Sequence, residues 1–71
     1  MTYQEIKDNC WYLLDGSYYF VKKVIPEGIM LSSSEDSEHT WLRTGKSSIY
    51  FERNAKEVNV SEAKSEKLII S

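Results

Sequence analysis

Seventy-one residues suffice for one small domain with a single, marginal core, and a chain of this size has little room for both that core and a preorganised active site. Nine Lys and Arg against eleven Asp and Glu leave a net charge of -2, which argues against a dedicated binder of duplex DNA. One cysteine excludes an internal disulfide, no charged leader precedes an apolar stretch, and no apolar run reaches membrane-spanning length, so a cytoplasmic protein is expected.

At the amino end, Thr2 followed three residues later by Glu5 forms a capping-box pattern, and Tyr3 and Ile6 repeat at helical spacing. These predict a short helical turn over 3–8. Asp15-Gly16 then separates two strand-forming runs, Cys10-Trp11-Tyr12-Leu13-Leu14 and Ser17-Tyr18-Tyr19-Phe20-Val21. Asp-Gly accepts the positive φ angles of a two-residue hairpin turn, so Leu14 should face Ser17, Tyr12 face Tyr19 and Trp11 face Phe20. Side chains alternate across a strand. Trp11, Leu13, Tyr18 and Phe20 therefore share one face, and Tyr12, Leu14, Tyr19 and Val21 the other. Both faces are apolar, so either the hairpin is covered twice or a tyrosine-rich face awaits a partner.

Ile25-Pro26-Glu27-Gly28-Ile29 predicts a second hairpin with a three-residue loop, Gly28 in the left-handed conformation, and Ile25 opposite Ile29. Strands are expected over about 17–25 and 28–32. The run 32–38 is broken by serines and carries Glu35, Asp36 and Glu38 without a base, the pattern of a solvated loop. His39–Arg43 resumes as a strand, Thr44-Gly45-Lys46-Ser47 turns, and Ser48-Ile49-Tyr50-Phe51-Glu52 is expected to extend again. Glu57-Val58-Asn59-Val60 alternates like a half-buried strand. Ser61 is placed to cap a turn of helix over 62–66, and Lys67-Leu68-Ile69-Ile70 reads as a closing strand.

Successive short strands and tight turns define the class: mainly β, a small antiparallel curled sheet of five to six strands in one domain, 1–71, with a short N-terminal helical turn. The spacing is compatible with an SH3-like or other small barrel, a likeness of architecture alone.

Chemical motifs are sparse. Gly45-Lys46-Ser47 resembles the end of a phosphate-binding loop, but the required earlier glycine is Thr40, and strand-like residues follow where a helix is needed. His39 beside Glu38 and Asp36 has no ordered metal-ligand spacing. Cys10 has no base near it in sequence, and no carboxylate pair is set apart as acid and base. Asn59-Val60-Ser61 matches a glycosylation acceptor without secretory context. No catalytic residue, metal or cofactor is assigned, and the expectation is a non-enzymatic protein. Nine aromatics exceed what so small a core holds, and surplus aromatics favour interfaces.

The leading expectation is therefore a protein-interaction module, or a small accessory or inhibitor protein, contacting its partner through Tyr12, Tyr18, Tyr19, Trp41 and Tyr50. The loop acids Glu35, Asp36 and Glu38 would meet a basic surface. The alternative is a small barrel binding single-stranded RNA by aromatic stacking, with Lys22, Lys23 and Arg43 along the backbone. Either is compatible with a monomer or a homodimer.

Overall fold

The computed structural model describes residues 1–70, with side chains through residue 65. A 3-10 turn at Tyr3–Glu5 leads into β1 (Cys10–Leu14), β2 (Ser17–Ile25), β3 (Gly28–Ser32) and β4 (His39–Arg43). Helix α1 (Lys46–Asn54), strand β5 (Lys56–Val58) and helix α2 (Val60–Ile70) follow. The strands form one open antiparallel sheet in the order β4-β3-β2-β1-β5. β4 and β5 are its two edges and do not close on each other.

The first hairpin has the register that Asp15-Gly16 implies, with Trp11 opposite Phe20, Tyr12 opposite Tyr19 and Leu14 opposite Ser17. Both turn residues take positive φ, 51° at Asp15 and 79° at Gly16, the condition for a turn that follows the right-handed twist of the strands. The hairpin is covered on both faces. On one, Tyr12 and Val21 pack with Ile6, Ile29 and Phe51. On the other, Trp11 and Phe20 pack with Ala63 of α2.

The second hairpin corrects the expected register. Ile25 pairs with Gly28 and Val24 with Ile29, so the loop is Pro26-Glu27 and Gly28 lies in the strand. No positive φ is needed at Gly28. The glycine is required for a different reason: a Cβ there would lie 2.9 Å from the backbone oxygen of Leu42 on the adjacent strand. A register shift between Val21 and Lys23 places Lys22 in a bulge. Val21 and Val24 can then both face the same core despite odd spacing.

Further expectations are corrected. Residues 48–52 are not a strand but the body of α1, with Ser48 and Phe51 buried at helical spacing. The Ser48 hydroxyl accepts from the Gly45 N–H at 3.1 Å and donates to the Glu52 carboxylate at 2.8 Å, which satisfies a fully buried polar group. The alternating segment is strand only over Lys56–Val58, pairing with β1. Residues 67–70 continue α2 instead of forming a closing strand. The cap of α2 is Asn59, whose side-chain oxygen accepts from the Glu62 N–H at 2.7 Å, and not Ser61. The amino-terminal turn is shorter than expected, and within it the Thr2 N–H donates to the Glu5 carboxylate at 2.6 Å. That bond holds the Glu5 carboxyl below its ordinary pKa.

Candidate functional site

The helices divide the sheet unequally. Helix α1 and the amino-terminal segment carry Phe51 and Ile6 onto the face that presents Tyr12, Val21, Ile29 and Leu42. Among the described side chains, helix α2 covers the opposite face at Trp11 and Phe20, through Ala63. Alternation puts Met30 and Trp41, which pair across β3 and β4, on that second face, beyond Phe20. Trp41 is 48% exposed there. It lines a shallow depression of about 470 Å³ with Ile25, Glu27 and Arg43. His39, two residues back on the same strand, meets the Trp41 ring edge-on at 5.9 Å between centroids.

The tyrosines expected to reach a partner are dispersed. Tyr12 is fully buried, and its hydroxyl accepts from the Lys7 N–H at 3.0 Å, so it belongs to the core and not to a contact surface. Burial pushes its pKa up. Tyr18 is half-buried against the Trp11–Phe20 cluster, with its hydroxyl donating to Glu62. Tyr19 is half-buried on the other face, opposite Tyr12. Tyr50 is 53% exposed on α1 and donates to both carboxylate oxygens of Asp15, at 2.9 and 2.7 Å. That bond raises its pKa and ties α1 to the first hairpin turn. Trp41 and Tyr50 lie on opposite sides of the sheet and cannot share one small epitope.

The acidic loop is more ordered than its composition suggests. Ser34 and Ser37 hydroxyls sit 2.6 Å apart, the Ser37 N–H donates to Ser34 Oγ, and Lys22 Nζ donates to the Ser37 carbonyl at 2.6 Å. Glu35 pairs with Lys64 of α2 at 3.0 Å, while Asp36 and Glu38 are exposed. This arrangement splits the expected cationic set: Lys22 is occupied with the loop, whereas Lys23 and Arg43 remain exposed beside Met30 and Trp41. Sequence reasoning missed Ile25 and Met30 as members of the strip. The register of β3 against β2 and β4 contains that information, but only once the bulge at Lys22 is known.

The thiol of Cys10 is half-buried and burial pushes its pKa up, which disfavours the reactive thiolate. Among the described residues, no three His, Cys, Asp or Glu side chains converge as metal ligands. β4 and α1 do supply the strand-to-helix step that the sequence reading denied to Gly45-Lys46-Ser47. The connection is only Thr44-Gly45, too short to wrap a phosphate, and the Gly45 N–H is already bound by Ser48. No helix among the described residues is long and apolar enough to cross a membrane. Comparison with protein-family models, with curated proteins and with solved structures finds no match.

Proposed function

We propose that the chain is a non-enzymatic protein-interaction module, an accessory or inhibitory protein of the cytoplasm, that binds its partner through the strip around Trp41. The observation that carries this reading is a tryptophan 48% exposed on the same sheet face where Trp11 and Phe20 are buried. Half-buried Ile25 and Met30 extend the apolar strip, and Asp36 and Glu38 stand at the end of the same strand to select a basic rim on the partner. Tryptophan contributes large contact area at low entropic cost, so Trp41 is the anchor and the loop acids act on encounter.

The test is affinity capture from an extract of the source cells, with and without nuclease, using wild type, Trp41→Ala and Tyr50→Ala. Proteins retained through nuclease, reduced about tenfold or more by Trp41→Ala and unchanged by Tyr50→Ala, support the reading. Equal retention by Trp41→Ala overturns it.

A second reading is favoured by one observation: Lys23 and Arg43 are exposed beside Trp41, an aromatic flanked by cations on a sheet. That is the arrangement by which single-stranded RNA is stacked and tracked. Loss of all captured material with nuclease, and a log–log salt slope of roughly 0.7 per phosphate contact, would select it.

A further inference from the structure

We infer that β4 is a homodimerisation edge, pairing antiparallel with β4 of a second copy about a twofold axis at Trp41. The phase of the β3–β4 ladder is the starting point. The Thr44 N–H donates to the Glu27 carbonyl at 3.2 Å, so the bonded pairs continue at every second residue, Leu42 with Ile29 and Thr40 with Leu31. The backbone N–H and C=O groups of His39, Trp41 and Arg43 therefore point away from β3, toward the open edge. Among the described residues nothing bonds to them. An edge of this kind is a template for another strand.

The charges along the edge select a second copy as that strand. Glu35, Asp36 and Glu38 precede β4, whereas Arg43 ends it and Lys46 opens α1 just beyond. The edge is acidic at one end and basic at the other. Glu35 is already held by Lys64, which leaves Asp36 and Glu38 to act outward. Antiparallel pairing about Trp41 sets the acidic end of each copy beside the basic end of the other, so a polarised edge is complementary to itself. In this register Trp41 faces Trp41 of the second copy, and His39 lies opposite Arg43. All three outward-facing residues exchange their backbone bonds, and an isologous twofold contact closes without leaving a further β4 edge. The opposite edge, β5, is only three residues long and carries Lys56 next to Glu57, so it has no such polarity.

The pairing uses the backbone edge and leaves the side chains of the Trp41 strip facing outward. It stands or falls independently of the partner-binding reading, and would set two Trp41 rings side by side on one extended sheet.

Sedimentation equilibrium over a concentration series tests the inference, together with two charge-reversed variants, Arg43→Glu/Lys46→Glu and Asp36→Lys/Glu38→Lys. Wild type should follow a monomer–dimer equilibrium, and each variant alone should dimerise about tenfold or more weakly, because like charges then meet at both ends. An equimolar mixture of the two variants should form the heterodimer, since opposite charges are restored at both ends. Should either variant fail to fold, hydrogen exchange of wild type replaces the mixture: the amides of His39, Trp41 and Arg43 should slow with rising protein concentration. A wild type that stays monomeric throughout overturns the inference. So does a dimer indifferent to both reversals, or assembly that grows beyond two copies.

Discussion

On the face that meets α1, Tyr12, Val21, Ile29 and Phe51 are all 0–1% exposed, and burial runs from β1 across to β3. On the opposite face burial is comparably deep at Trp11 and Phe20, then stops before Met30 and Trp41. The strands carry similar apolar residues on both faces, so composition does not account for the contrast. The difference is one of coverage. Helix α1 leaves β4 through a tight turn and crosses the sheet to β5, while α2 follows β5 directly and packs where β1 and β2 lie. A sheet covered more completely on one side than on the other has its core decided by the first face and its available surface by the second.

The sharpest way to break the contrast is to empty the covered face. Phe51→Ala removes a ring 5.4 Å from Tyr12 and should cost about 3–5 kcal/mol, enough to unfold much of so small a domain, read by urea denaturation. On the partly covered face, Ala63→Asp places a carboxylate against Trp11 and Phe20, where Ala63 is fully buried. It should cost about 2–4 kcal/mol, shift Trp11 fluorescence to the red and release α2 from the sheet while the hairpins persist. Retention of the helical circular-dichroism signal together with the Trp11 emission would show that α2 does not depend on that contact. Gly28→Ala drives a Cβ to 2.9 Å from the Leu42 backbone oxygen and should cost about 1–3 kcal/mol, with amide-shift changes confined to β3 and β4.

Smaller effects sharpen the comparison. Burial raises the pKa values of Tyr3 and Tyr12 above the ordinary 10.0, and the bond to Asp15 does the same for Tyr50. A phenol whose folded pKa is raised stabilises the fold fully below its unfolded value, and that contribution is lost as pH rises through the folded value. Thermal stability should therefore decline above about pH 10, and Tyr12→Phe should lessen the decline. Smallest of all, Trp41→Ala should change stability by less than about 1 kcal/mol, because the ring lies outside both cores. A larger loss by urea denaturation would place Trp41 in the core and remove it as an anchor.

The first hairpin was legible residue by residue, because Asp15 and Gly16 are adjacent and their backbone preference is local. The β3 turn was misread by one residue because Gly28 looks like a turn glycine. Its cause lies across the sheet, at Leu42, where no short-range pattern points. Residues 48–52 carry β-branched and aromatic side chains that favour strand, yet Ser48 and Phe51 are buried three apart while Ile49 and Tyr50 face solvent. Tertiary coverage overrode that weak preference. Of the expected contact residues, Trp41 lies on an uncovered strip, whereas Tyr12 became core. Their aromatic character is the same, and only their position under or beyond a helix differs.

By itself the sequence determined the mainly β class, the position and register of the first hairpin, its two apolar faces, and the boundaries of β4 at His39–Arg43. These follow from turn chemistry and twofold side-chain alternation, which act over a few residues. Only the tertiary structure decided that residues 46–54 are a helix, that the helix expected over 62–66 spans 60–70, which part of each face the helices cover, and that the sheet stays open at β4. Those outcomes depend on contacts between residues far apart in the chain, where burial of apolar area outweighs local preference.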